Sequence, residues 1–279
     1  MYQLIHDESI DQRSNLPLEM FGDKVLIATA HPDDESAFFS PTIRLLKDSN
    51  RTVGLLSLSL GEACDGPHNI SLAKIRLGEL QSACNTFGIP KNSIFIGHTA
   101  SQSDSINTSA NILLNTFPDG KQMSWSSFQI ARTLQKVYQQ YPFTSVLTFD
   151  YKGISGHPNH IAVRVGIEAF RTVEKWTRNN TQRHIRYFEQ VTNSLFERLL
   201  GPVRWFVPCS LRGVRSRIFG QSKVPSEHPM GRLFQVCGAD GKPTREAMAQ
   251  HRSQLRFHRR WLNRMSFYSY SNVIREIHD

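Results

Sequence analysis

The chain predicts an α/β fold: a doubly wound, mostly parallel sheet with helices on both faces, Rossmann-like, in a single domain spanning residues 1–279. Three observations carry this. Short apolar runs recur without polar alternation, as strands buried on both faces require. Segments of helical period separate those runs, and glycine or proline closes the segments.

Taken in order, KVLIATA at 24–30 reads as the first strand and residues 36–48 as a helix. TVGLLSLS at 52–59 is the second strand. SLAKIRLGELQSACNTF at 71–87 then places Leu72, Ile75 and Leu80 near helical spacing, with Gly88 and Pro90 as the stop. SIFIG at 93–97 is the third strand, 124–140 a helix ended by Pro142, and TSVLTF at 144–149 the fourth strand. Residues 159–176 carry Ile161, Val165, Ala169 and Val173 near i, i+4 spacing. Strand alternating with helix implies right-handed crossovers and a parallel sheet, so residues 24–175 read as the α/β core. From 177 to 242 basic and bulky apolar residues mix without a clear period. Helical character returns at 243–262 after Pro243, which makes 243–279 a helical tail.

Composition is that of an ordered globular chain, 39% hydrophobic and 20% charged. The formal net charge of +9 suits nucleic acid, an anionic membrane or a phosphorylated substrate. The four cysteines are widely spaced with no C-x-x-C, so neither a zinc ribbon nor a disulfide framework is signalled and a reducing compartment is expected. No run reaches the ~18–20 apolar residues of a spanning helix. Asp7, Glu8, Asp11 and Glu19 are wrong for a signal peptide. RFHRRWLNRMSFYSY interleaves arginine with aromatics as single-stranded nucleic-acid sites do, but no recognised nucleic-acid motif accompanies it and no nucleic-acid partner is expected.

Two motifs stand where a parallel sheet places ligands, beyond the carboxyl ends of strands: AHPDDE at 30–35 and GISGHPNH at 153–160. His31 and Asp34 are three apart, and His157 and His160 repeat that spacing. A first helical turn directs such pairs to one side, and two pairs on neighbouring loops can converge on one ion. Alone, D-D-E is negative charge favourably placed at a helix N-terminus, and H-P-N-H is a surface turn. Together at matching strand ends they point to a metal. A His₂-carboxylate set with an open position suits catalytic zinc and equally ferrous iron.

These residues resemble the family of metal-dependent N-acetylglucosamine deacetylases, the PIG-L and LmbE-like enzymes. The family includes the eukaryotic N-acetylglucosaminyl-phosphatidylinositol deacetylase of glycolipid-anchor biosynthesis and bacterial mycothiol-pathway relatives. The resemblance rests on Ala30-His31-Pro32-Asp33-Asp34-Glu35, His157-Pro158-Asn159-His160 and Arg76-Leu77-Gly78-Glu79-Leu80, in that family's order over residues 24–175. The ending resembles the eukaryotic members in Met248, His251, Ser253-Gln254, Arg259-Arg260, Ser266, Tyr268 and Asn272. It departs from them at Phe257-His258 and at Ser266-Phe267-Tyr268, and the loop 62–69 is longer than usual.

The resemblance implies hydrolysis of the N-acetyl group of N-acetylglucosaminyl-phosphatidylinositol, with Zn2+ as cofactor and Fe2+ or another divalent ion as the alternative. It implies His31, Asp34 and His160 as metal ligands, Asp33 as general base, and His157 as an imidazolium that stabilises the oxyanion, oriented by Asn159. Arg76 is the expected phosphate or sugar contact, with a salt bridge to Glu79 as its structural alternative; Asp65 and Lys152 are further substrate-binding candidates. The partners implied are a glycolipid and an anionic membrane surface at the cytoplasmic face of the endoplasmic reticulum, with the chain peripheral; no protein partner is specified. A docking surface is expected in 183–223, where Arg183, Arg186, Arg198, Arg204, Arg212, Arg215, Arg217 and Lys223 face only Glu189 and Glu197 beside Trp205 and Phe206. The competing readings are a deacetylase of a soluble N-acetylglucosamine conjugate and a basic binding module without catalysis.

Overall fold

The computed structural model describes residues 18–62, 69–98, 111–115, 117–120, 123–177, 184–194, 198, 233–237, 241–255 and 265–278. Its centre is β1 (Lys24–Thr29), paired in parallel with β2 (Thr52–Ser57) on one side and β5 (Ser145–Phe149) on the other. Val25, Leu26 and Ile27 are wholly buried, as a strand covered on both faces must be. Beyond β2 lie β3 (Ile94–His98) and β4 (Asn111–Asn115), also parallel. Beyond β5 come β6 (Arg186–Gln190), parallel, then β8 (Ser271–Glu276) and β7 (Leu233–Cys237), paired antiparallel across β6/β8 and β8/β7. Among the described residues the sheet has eight strands, in the order β4-β3-β2-β1-β5-β6-β8-β7.

The chain therefore winds outward from β1 to β4 and then restarts at β5 on the other side of β1. Right-handed crossovers put the helices of the two halves on opposite faces. On one face lie α2 (Ser40–Asp48), α3 (Ile70–Thr86) and α7 (Lys242–Met248), with α7 packed on the other two. On the other, α4 (Ser127–Gln140) packs along α6 (Pro158–Thr177). The switch point between β1 and β5 opens a crevice at their carboxyl ends. The two motifs border it: 30–35 leads from β1 into α1 (Asp34–Phe38), and 153–160 leads from β5 through α5 (Gly153–Gly156) into α6.

Three expectations are corrected. The helix over 36–48 is two helices broken at buried Phe39, because Pro41 at the start of α2 has no amide hydrogen to give the preceding turn. The helix expected over 243–262 ends at Met248, and the tail closes as strand β8 rather than as a helix. Within 177–242, β6 and β7 join the sheet. The charged ends of β6 hid it: Glu189 is buried because Arg164 of α6 donates to it at 2.6 Å and Arg275 of β8 at 2.7 Å. Glu189 is thus no partner for a basic docking surface. Of the eight basic residues named above, Arg186 is exposed on β6 and Arg198 donates to the Ile154 carbonyl at 2.9 Å. The other six, with Glu197, Trp205 and Phe206, lie outside the described residues.

Candidate metal and catalytic site

The first loop is built around a strained backbone that hydrogen bonds from within the loop and from α3 hold. Asp33 adopts φ 115° and ψ −21°, in the left-handed region, which costs a residue with a Cβ ~1–3 kcal/mol. Two devices hold it there. Asp34 Oδ2 accepts from the backbone N–H of Ala30 at 3.1 Å and of His31 at 2.8 Å, folding the carboxylate under the strand end. Arg76, reaching in from α3, donates to Pro32 O at 2.7 Å and Gly61 O at 2.6 Å, with its guanidinium 3.7 Å from Asp33 Oδ1.

This corrects the expected Arg76–Glu79 salt bridge. Arg76 is buried beneath the loop with Nη1 and Nη2 on carbonyls, while Glu79 accepts instead from the N–H and hydroxyl of Ser253, each at 2.7 Å. Gly61 is required for the fit, since a Cβ there would lie 2.1 Å from Arg76 Nη1.

The second loop is equally over-determined. Gly153 and Ile154 both have positive φ, 59° and 58°. Asp150, just past β5, accepts from Thr192 Oγ1 at 2.6 Å and Thr192 N at 2.8 Å, and Thr192 Oγ1 in turn accepts from Ile154 N at 2.9 Å. The result aims the Gly153 carbonyl at His160, whose Nδ1 donates to it at 2.9 Å. Phe149 stacks flat on the His160 ring, with centroids 4.1 Å apart and planes within 2°.

These loops bring His31, Asp34, His157 and His160 together. Nitrogens of the three imidazoles lie within 4.8 Å of one another. Asp34 Oδ1 is 3.3 Å from His160 Nε2, and Asp34 Oδ2 is 3.6 Å from His31 Nδ1. The donor chemistry fits a divalent cation. With Nδ1–H of His160 given to a carbonyl, Nε2 offers a lone pair towards a carboxylate oxygen, and two acceptors at 3.3 Å call for positive charge between them. His31 shows the same design: its Nε2 is 3.0 Å from Asp119 Oδ1, which leaves Nδ1 on the Asp34 side. Ligand histidines are characteristically held in this way, by a carboxylate or a carbonyl on the far nitrogen. Burial alone would push His31 down, but Asp119 and Asp34 outweigh it and raise its pKa to about 10, a proton held where a cation belongs. Asp34 is likewise held well below the usual carboxylate range, its burial outweighed by His160 and His31.

His157 differs. It is only half-buried, and its Nδ1 accepts from the backbone N–H of Asn159 at 3.2 Å, which leaves Nε2 as the N–H-bearing nitrogen. Burial, then the charges of His31 and His160, lowers its pKa to about 4. With Nδ1 accepting from Asn159, Nε2 is the nitrogen from which His157 can donate, as the expected oxyanion role requires. Asn159 orients His157 through its backbone; its side chain turns the other way, with Nδ2 3.1 Å from His31 Nε2 and 3.4 Å from Asp119 Oδ1. Lys152 is exposed after β5, and Asp65 lies outside the described residues.

Sequence reasoning passed over Asp119, Asp150 and Thr192. Asp119 sits in Phe117-Pro118-Asp119-Gly120, a turn signal that explains its carboxylate as loop chemistry. Its role depends on the 88-residue excursion that returns the chain to His31, a closure invisible to local pattern.

A probable N-acetylglucosaminyl-phosphatidylinositol de-N-acetylase of Schizosaccharomyces pombe is 37% identical over 161 residues, covering 57% of this chain and 55% of that protein. The N-acetylglucosaminyl-phosphatidylinositol de-N-acetylase of Bos taurus is 28% identical over 239 residues, covering 86% and 78%. The chain spans about half the length of the Schizosaccharomyces pombe and Dictyostelium discoideum relatives it matches. Among solved structures, N,N'-diacetylchitobiose deacetylase from Pyrococcus horikoshii shares the fold with a TM-score of 0.55 at 17% identity, over 91% of this chain and 84% of that one. The family model described as GlcNAc-PI de-N-acetylase matches residues 26–170, just over half of the chain and the stretch that contains both motifs, so the chain belongs to the PIG-L family.

Proposed function

We propose that the chain hydrolyses the N-acetyl group of N-acetylglucosaminyl-phosphatidylinositol, with zinc as the cofactor. The observation that carries this is the pair of histidines, His31 and His160, each with its far nitrogen engaged, facing one buried carboxylate, Asp34, beside a second one at Asp33. The names of the relatives supply the substrate class.

His31, Asp34 and His160 would hold the ion, which when bound supplies a Lewis acid that acidifies water and polarises the acetamide carbonyl. Asp33 takes a proton from the attacking water as its oxygen bonds to the carbonyl carbon. His157 Nε2–H donates to the oxyanion of the resulting tetrahedral intermediate. Asp33 then passes its proton to the glucosamine nitrogen as the C–N bond breaks, releasing acetate and the free amine.

Among the described residues no helix is long and apolar enough to cross a membrane. On this reading the chain meets its lipid substrate peripherally, at the cytoplasmic face of the endoplasmic reticulum, with the net charge of +9 drawing it to anionic lipid. The test is acetate release from N-acetylglucosaminyl-phosphatidylinositol compared with soluble N-acetylglucosamine, with and without added zinc. Asp33→Asn should lose ~10²-fold in turnover while retaining metal. Activity confined to the soluble sugar would replace the lipid substrate, and an active Asp33→Asn variant would move the base elsewhere.

A further inference from the structure

Behind the loop that carries Asp33 lies a buried ion pair that the mechanism does not use. Glu35 and His251 are both fully buried, with Oε1 of Glu35 2.7 Å from Nε2 of His251. The same carboxylate accepts from Ser36 Oγ at 2.5 Å on Oε1 and, through Oε2, from the backbone N–H of Asp33 at 3.1 Å. Asp33 is the residue in the left-handed conformation. The glutamate thus points away from the crevice and holds the backbone of its neighbour two residues back, and the histidine holds the glutamate.

His251 comes from the far end of the chain and is itself fixed. It follows α7 with its N–H donated to Met248 O at 3.1 Å, and its carbonyl accepts from Gln254 N at 2.9 Å. Two residues on, Ser253 clamps the segment to Glu79 of α3. Such anchoring brings the imidazole to one edge of the carboxylate and so sets the plane in which the other edge meets the Asp33 amide.

We propose that His251 is a positioning residue for the reaction, acting through Glu35 to hold Asp33 in the left-handed conformation that presents its carboxylate to the crevice. Nothing in His251 reaches the reacting atoms; its contribution is geometric, and displacement of a reacting group by about 1 Å costs on the order of 100-fold in rate.

The kinetic arm of the test rests on the deacetylase reading, whereas the structural arm does not. His251→Gln and His251→Met fill similar volume, but only glutamine keeps a side-chain donor for Glu35. Zinc-loaded wild type and both variants are compared by zinc stoichiometry, by hydrogen exchange at the Asp33 amide, and by kcat and KM for acetate release from N-acetylglucosaminyl-phosphatidylinositol. In His251→Met, Asp33 exchange should quicken at least about tenfold and kcat fall about 10- to 100-fold, with KM within about twofold and zinc retained. His251→Gln should stay within about threefold of wild type on both measures, a rescue that mere core filling does not predict. Glu35→Gln, which removes the charge at constant size, should reproduce the kcat loss and serves in place of His251→Met where that variant does not fold. Equal behaviour of the Met and Gln variants, or an Asp33 amide still protected in His251→Met, overturns the proposal. A wild type that releases no acetate from any N-acetylglucosamine conjugate overturns the assigned function instead, and the exchange comparison still decides the positioning role.

Discussion

Replacing Asp119 tests whether His31 is built to hold a cation. Asp119 Oδ1 lies 3.0 Å from His31 Nε2 with both side chains at most 10% exposed, so solvent screens the pair little. Hydrogen bonds to charged groups contribute ~1.5–3 kcal/mol and neutral ones ~0.5–1.5. Asp119→Asn keeps an acceptor of equal size and loses the charge, a difference of ~1–1.5 kcal/mol, or about tenfold in the zinc dissociation constant. Asp119→Ala removes the acceptor as well and should reach about 100-fold, the upper range for partners of ligand histidines. The loop should survive either change, because the Asp119 N–H is held by Glu62 Oε1 at 3.0 Å and Trp125 Nε1 is bonded to Pro118 O at 2.9 Å. The assay is competition for zinc against a chromophoric chelator at pH 7, with thermal melts of the metal-free proteins as the control for folding. Wild-type zinc affinity in both folded variants would refute the reasoning: His31 would need no anion on Nε2, and its assignment as a ligand through Nδ1 would fall with it.

Three further outcomes are expected. Gly153→Ala places a Cβ 3.0 Å from His160 Cβ at φ 59°, so metal stoichiometry should drop along with stability, by ~1 kcal/mol or more; full zinc occupancy would show that the Gly153 carbonyl does not set the His160 ring. Gly61→Ala drives the Arg76 guanidinium from the Pro32 and Gly61 carbonyls and should cost ~2–4 kcal/mol in denaturant unfolding. Combined with Arg76→Ala it should be strongly sub-additive, and simple additivity would separate the two. The buried pair sets a pH window. Burial opposes the charge on Glu35, but His251 overrides it and lowers the carboxyl, so its contribution is present above pH 4.5 and lost as pH falls through the depressed value. Burial likewise opposes charge on His251, and Glu35 overrides it and raises the imidazole, so that contribution is present below pH 6.5 and lost as pH rises through the raised value. The stability of wild type over Glu35→Gln should therefore be greatest between those limits, and an unfolding difference independent of pH would argue against a charged pair.

What the sequence by itself determined was whatever short-range pattern encodes. The strands β1, β2, β3 and β5 were legible because residues such as Val25-Leu26-Ile27 and Val146-Leu147 are buried on both faces and need no polar alternation. The site was legible for a related reason. His31 and Asp34 follow β1, and His157 and His160 lie in the connection that follows β5, so locating the strands located the candidate site. Family resemblance then assigned their roles. Tertiary structure decided the rest, because it depends on groups far apart in the chain cancelling one another's cost. β6 and β8 carry Glu189 and Glu276, charges that read as surface until the antiparallel pairing, with Arg164 and Arg275 on Glu189, buries them. Arg76 and Glu79 read as a local salt bridge until the fold gives Arg76 the Pro32 and Gly61 carbonyls and Glu79 the Ser253 donors. Asp119, Thr192 and His251 reach their partners only after loop closure over 88, 42 and 216 residues. A buried polar group has to be satisfied by something, and in this protein the partner is rarely near it in sequence.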